Sequence, residues 1–211
     1  MLKSSFGKEF VEAGCDASGC GCLAGPIVAA AVILPKKFKH RTLKDSKQLS
    51  AIRREALQKE IKEVALAWAV AEVSHQVVDE INTVNAAIRA MHEALDKLLV
   101  QPQLILVDGD RFQAYKDIPH RCIGKGDEKY LSIAAASVLA KTRFDELLKK
   151  SALEFPGYNW EKNAGYPTDE HYKAIQKLGI TPYHRKTFKL SPKSLKPPND
   201  SQPAKPEDES P

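Results

Sequence analysis

Residues 10–34 hold two apolar runs joined by a glycine-rich connection, and the carboxylate of Asp16 closes the first run. The second run, residues 27–34, is an unbroken Val/Ala/Ile stretch entered through Pro26. It has no polar face, which suits a strand buried in a sheet. Gly14, Gly19 and Gly21 surround Asp16. An acid at a strand end, beside backbone with few side chains, fits a site that a phosphate or a metal must approach closely.

The rest of the chain alternates helical and strand patterns. Ser50 is placed to cap a helix with Ile52, Leu57, Ile61 and Val64 at helical spacing. Residues 67–73 alternate as a strand, with Trp68, Val70 and Val73 expected to pack. A short helix near 77–81 precedes a longer one at 85–100, which repeats Ile88, Met91, Leu95, Leu98 and Leu99 on one face and is stopped by Pro102. Residues 104–107 form an apolar strand that ends at Asp108-Gly109, and residues 118–123 form another that runs into Gly124-Lys125-Gly126-Asp127. Residues 132–150 read as a strong helix with an Ala-rich first half, and 168–178 as a further helix. Strands first, then strands and helices in turn, predict an α/β fold with a mixed sheet.

Beyond Ser191 prolines at 192, 197, 198, 203, 206 and 211 mix with Lys, Ser, Asp and Glu. Residues 1–191 are therefore expected as one folded domain and 192–211 as a disordered tail. The N-terminus lacks the apolar core of a signal peptide, and no apolar run is long enough to span a bilayer, so the cytoplasm is the expected address. In that compartment Cys15, Cys20, Cys22 and Cys122 are expected as free thiols, and their spacing lacks the paired Cys-x-x-Cys of a zinc site. The net charge of +5 permits a polyanionic partner, but the basic residues are spread along the chain and fit a solvated surface equally well.

Three short β-segments end in acids: Asp16, Asp108 and Asp127. Brought to one sheet edge, three carboxylates suit hard divalent cations, which can position a water and stabilise a leaving oxygen in phosphodiester hydrolysis. Taken singly, each is as well explained as a turn former. A second block, residues 163–171, places Tyr166 in a Gly/Pro frame just ahead of a helix capped by Thr168. Such a tyrosine stacks on a sugar, hydrogen-bonds a hydroxyl, or packs against the helix entry. Tyr183-His184-Arg185-Lys186 is a basic cluster that either meets phosphates or lines a solvated face.

Together these blocks resemble bacterial ribonuclease HII, the type 2 ribonuclease H family, over residues 10–190. The resemblance rests on Ala13-Gly14-Cys15-Asp16 with Gly19, Gly21 and Leu23-Ala24-Gly25-Pro26. It continues through Asp45-Ser46-Lys47, Val107-Asp108-Gly109, and Lys125-Gly126-Asp127 followed by residues 133–141. Gly165-Tyr166-Pro167-Thr168 with His171, and His184-Arg185 with Phe188, complete it. It implies an RNase H-like fold: a mixed five-stranded sheet with flanking helices and a C-terminal helical extension. It implies endonucleolytic cleavage of RNA in RNA–DNA hybrids, including single ribonucleotides embedded in duplex DNA, with Mn²⁺ or Mg²⁺ as cofactor and a 3′-hydroxyl and 5′-phosphate as products. Carried over residue by residue, Asp16, Asp108 and Asp127 become catalytic metal ligands. Gly19 and Gly21 lie against the nucleic-acid backbone, Tyr166 reads the 2′-hydroxyl side of the sugar, and Lys47 and Arg185 contact phosphates. No membrane partner is implied, and a monomer is the simpler expectation.

The first block departs from the family pattern Asp-Glu-x-Gly-Arg-Gly: Ala17 stands at the glutamate and Cys20 at the arginine. The first change removes one of four acids offsetting two cations, and the second a guanidinium suited to phosphate. Two expectations follow, a hydrolase with weakened activity or a hybrid-binding protein that no longer cuts.

Overall fold

The computed structural model describes residues 2–7, 9–43 and 46–191, with Lys47 described by its backbone alone. The 192–211 tail lies outside the described residues. Five strands form one sheet in the order β3-β2-β1-β4-β5: β1 (Glu12–Ser18), β2 (Ile27–Ile33), β3 (Ala67–Val73), β4 (Leu104–Asp108) and β5 (His120–Ile123). The first three are antiparallel neighbours, whereas β4 runs parallel to both β1 and β5. This is the mixed five-stranded sheet expected from the sequence. The helices are α1 (Ala51–Val64), α2 (His75–Asp96), α3 (Leu131–Glu154), α4 (Trp160–Asn163) and α5 (Asp169–Leu178).

The unbroken apolarity of β2 has a direct cause, since successive side chains point to opposite faces. Ala29, Ala31 and Ile33 join a core with Ala86, Ala90, Met91 and Leu95 of α2. Ala30 and Val32 join a second core, with Ala134, Ala135, Val138 and Leu139 of α3 and Leu57 and Ile61 of α1. Helix α3 lies between the sheet and α1, and every residue from Leu131 to Ala140 is buried. Its run of alanines permits that close approach. Gly14 permits it from the other side: a Cβ there would sit 2.2 Å from the Ser132 carbonyl carbon and 2.4 Å from the Ile133 nitrogen.

Ser50 caps α1, its side chain accepting from the Arg53 N–H, and Thr168 caps α5, its side chain accepting from the His171 N–H. The short and long helices expected at 77–81 and 85–100 are the two halves of α2, kinked at Asn82, whose φ of 65° is left-handed. Three packing expectations are corrected. On β3 the buried set is Ala67, Ala69, Ala71 and Val73, and Trp68 points outward beneath Lys62. Val70, on the same face as Trp68, packs half-buried against the second core. Leu99 is 98% exposed because α2 ends at Asp96, and Ile52 is 82% exposed because α1 packs through Leu57 and Ile61. A third core gathers Cys22, Leu23, Ala24, Phe144, Leu148, Tyr158, Trp160 and Ile175, and joins the glycine-rich connection to the C-terminal helices. Among the described residues no helix is long and apolar enough to cross a membrane.

Candidate active site

Strands β1 and β4 are parallel neighbours, with Cys15 opposite Val107. Asp16 and Asp108, one residue further on, therefore lie side by side at the same strand-end edge. Asp127 reaches them from the 3-10 turn Gly126–Glu128, entered through Lys125 in the left-handed region (φ 54°). One carboxylate oxygen from each of the three lies within 4.8 Å of the others. Asp108 Oδ1 accepts from the Gly126 N–H at 2.7 Å, which ties the turn carrying Asp127 to β4. Asp16 Oδ1 accepts from the Ala17 N–H at 2.7 Å, and the nearby Ser137 hydroxyl on α3 favours the charged form of the same carboxylate. The Ser137 and Ser46 hydroxyls share a hydrogen bond at 2.8 Å. The Ser46 block is thereby linked to the acid cluster. Burial, and then the charges of Asp108 and Asp127, push the Asp16 carboxyl up to about 7. Such a cluster gains from a cation and loses from its own crowding.

The glycine-rich connection lies beside this cluster. Gly19 is buried with φ 89°, and a Cβ there would meet the Pro26 carbonyl oxygen at 2.7 Å. Gly21 is exposed, and its Cα faces the Tyr166 ring: a Cβ would stand 3.7 Å from that ring's edge. Tyr166 follows two left-handed residues, Ala164 and Gly165. Leu23 N–H donates to the Gly165 carbonyl at 2.7 Å, so the Tyr166 loop is stitched to the glycine-rich connection. Burial pushes the half-buried Tyr166 hydroxyl up to about 12, which keeps it a neutral donor, and Lys141 Nζ lies 5.6 Å from the ring centroid. Ala17 and Cys20 line a groove of about 480 Å³ with Asp16, Asp108 and the α2 residues Val84, Ala87 and Met91.

Arg185 corrects an expectation. It was read as a phosphate contact, yet it is 0% exposed and its guanidinium is spent on backbone carbonyls of residues 19–26. Four carbonyl oxygens take up its charge in place of an anion. The side chain of Lys47 lies outside the described residues. Cys15 and Cys22 belong to different cores, burial pushes both thiols up, and Cys22 Sγ faces the Ala164 carbonyl at 3.3 Å. They share no site, and all four cysteines are free thiols.

Sequence reasoning gave no role to Ser137, although a serine within an alanine run packed on a sheet marks a polar group with an assigned partner. It also missed a buried chain of Trp160, His171, His184 and Thr181. Trp160 Nε1–H donates to His171 Nε2 at 3.0 Å, and His184 Nε2 faces the same atom at 3.2 Å. That atom therefore accepts, leaving His171 Nδ1–H to donate to the Tyr166 carbonyl at 2.9 Å. His184 Nδ1 accepts from the Thr181 N–H at 2.9 Å.

The model of the Ribonuclease HII family matches residues 13–191. Ribonuclease HII of Bacteroides thetaiotaomicron is 55% identical over 190 residues, covering 90% of this chain and 95% of the relative. That of Christiangramia forsetii is 54% identical over 191 residues, covering 90% and 96%. Among solved structures, ribonuclease H2 from Pyrococcus horikoshii superposes with a TM-score of 0.71 at 24% identity, covering 85% of this chain and 94% of that one. The ribonuclease HII of a PCNA complex from Archaeoglobus fulgidus superposes with a TM-score of 0.72 at 27% identity, covering 88% and 98%. With a family model matching residues 13–191 and relatives of this identity, the chain belongs to the ribonuclease HII family of hydrolases.

Proposed function

We propose that this chain recognises RNA–DNA duplex at a ribonucleotide, including a single one embedded in DNA, and hydrolyses the phosphodiester there with divalent metal. The observation that carries the reading is the meeting of Asp16, Asp108 and Asp127 within 4.8 Å, beside an exposed Gly21 set against Tyr166. Membership of the family supports the substrate class.

The donor set suits a hard cation. It is all carboxylate oxygen, and burial, then the charges of Asp108 and Asp127, hold Asp16 protonated to about pH 7, a cost that a divalent charge would relieve. Asp16, Asp108 and Asp127 would hold it. When bound, such ions activate a water and neutralise the leaving oxygen in phosphodiester hydrolysis. The chain's own groups do the rest. The Ala17 N–H fixes the Asp16 carboxylate, and the Gly126 N–H fixes that of Asp108. Gly21 lets a strand approach the backbone closely, and the neutral Tyr166 hydroxyl offers a donor where a ribose 2′-hydroxyl distinguishes RNA from DNA.

One observation favours a second reading. Ala17 contributes no carboxylate to the groove beside the cluster, so the chain binds the junction and cuts it slowly or not at all. The test is cleavage of a duplex carrying one ribonucleotide, in Mg²⁺ and in Mn²⁺, by this chain and by Ala17→Glu with Cys20→Arg. We expect the double variant to be faster by about two orders of magnitude or more, about 2.7 kcal/mol of barrier. Equal rates refute a crippled site. Cutting by the variant alone establishes the binding-protein reading, and failure of both to bind the duplex removes the nucleic-acid reading.

A further inference from the structure

The fully buried Arg185 has no role in the chemistry above, and its surroundings are unusual. Nη2 donates to Gly19 O at 2.8 Å, to Gly25 O at 2.9 Å and to Pro26 O at 3.0 Å. Nη1 donates to Cys20 O at 3.2 Å, and Nε to Gly25 O at 3.1 Å. The guanidinium lies 5.1 Å from the centroid of the Phe188 ring. A buried cation is costly, and an apolar side chain of similar volume commonly stabilises a core as well or better. What a hydrophobic residue lacks is the fork of donors that sets the direction of four carbonyls at once.

We propose that Arg185 is a positioning residue for substrate recognition, one that turns the Gly19–Cys22 turn so that its tip presents backbone N–H to the ribonucleotide strand. This rests on the function proposed above. The turn is closed by Cys22 N–H donating to Gly19 O at 3.2 Å, with Cys20 and Gly21 at its tip. The peptide bonds are trans, so a carbonyl drawn toward Arg185 sends the following N–H the opposite way. With Cys20 O held inward, Gly21 N–H points away from the guanidinium at an exposed residue beside the Tyr166 ring. That N–H is a donor for a phosphate or sugar oxygen. The next residue back, His184, holds the other wall: through His171 it fixes the Tyr166 carbonyl. The backbone completes the clamp, with Arg185 N–H donating to Leu23 O at 2.8 Å and Gly25 N–H to Tyr183 O at 3.0 Å. Both walls that face the sugar are thus set from behind by two consecutive residues. The arrangement is indifferent to the side chain at position 20, and so survives the presence of cysteine there.

The test uses Arg185→Lys, which keeps the charge and loses the fork. The readout is the ratio of dissociation constants for an all-DNA duplex and for the same duplex with one ribonucleotide, in Ca²⁺ to hold the strand uncut. Mn²⁺ binding to the variant without nucleic acid is measured alongside. We expect the ratio to fall at least tenfold in the variant while Mn²⁺ affinity stays within twofold. A folded variant that keeps the ratio overturns the inference alone, as does one that loses Mn²⁺ affinity in parallel, which marks a general structural role. If the unaltered chain does not distinguish the duplexes, the functional reading itself falls and takes this inference with it. Should the variant not fold, hydrogen exchange in the unaltered protein decides. The Gly21 amide should be protected at least tenfold by the ribonucleotide duplex and not by its all-DNA counterpart, and equal exchange overturns the proposal.

Discussion

Replacing Asp16 by asparagine should stabilise the metal-free protein at pH 8, an outcome opposite to that expected for a well-paired carboxylate. Burial and two neighbouring acids raise the Asp16 carboxyl from 3.8 to about 7. The folded state therefore keeps a proton that the unfolded chain has already released. Between about pH 4 and 7 the native state binds more protons, so stability falls as pH rises through that window. The gap is about three pH units at about 1.4 kcal/mol each, which sets a cost of roughly 4 kcal/mol at pH 8 if none of it is screened by water. Asp16 is half-buried, and about 2–4 kcal/mol is the range to expect. Asparagine removes the charge and keeps a carbonyl oxygen for the Ala17 N–H. Urea unfolding with a chelator present, at pH 4.5 and pH 8, gives the comparison. At the lower pH about a quarter of the difference should be present, and the two proteins should separate further at the higher one. Taking the difference between variants cancels the titrating groups distant from Asp16. Saturating Mn²⁺ should narrow the gap at pH 8, because a metal at a hundred times its dissociation constant contributes about 2.7 kcal/mol to the protein that binds it. A variant no more stable than the unaltered chain at pH 8 in chelator would show that Asp16 is not strained, and would remove the electrostatic reason for metal binding given above.

Two further outcomes follow from packing and burial. Gly14→Ala should cost about 3 kcal/mol or prevent folding, since its Cβ would meet α3 backbone at 2.2 Å, and a thermal melt within a few degrees of the unaltered protein contradicts this. Burial, and then His171, lower the His184 imidazole from 6.5 to about 4. The unfolded chain takes a proton that the folded one refuses, so this contribution is complete above about pH 6.5 and is lost as pH falls toward 4. His184 is 1% exposed, and the loss should amount to roughly 3 kcal/mol relative to His184→Gln; parallel pH profiles for the two proteins refute it.

The two-sided burial of β2, the caps Ser50 and Thr168, and the break within α2 could all be read from the chain, because each depends on residues a few positions apart. Where the sequence reading erred, it read amphipathicity without knowing the partner. Trp68 is the largest side chain of β3 and faces outward, because the sheet's α2 face is filled by four small residues at the alternate positions. Arg185 was misread for a related reason. A cation in a basic run looks like surface, and only the converging carbonyls of Gly19, Cys20, Gly25 and Pro26 make its burial tolerable.

By itself the sequence determined the α/β alternation, the blocks that identify the family, and the presence of Ala17 and Cys20 within the first of them. Those are local or pattern properties. The tertiary structure decided which acids meet, because the parallel pairing of β1 with β4 brings Asp16 against Asp108, and the left-handed Lys125 swings Asp127 to both. It also decided that Ser137 pairs with Ser46, that His171 serves Tyr166, and that Arg185 faces inward. Side-chain direction and the neighbours that accept a charge or a proton depend on contacts between distant segments, and local composition does not encode them.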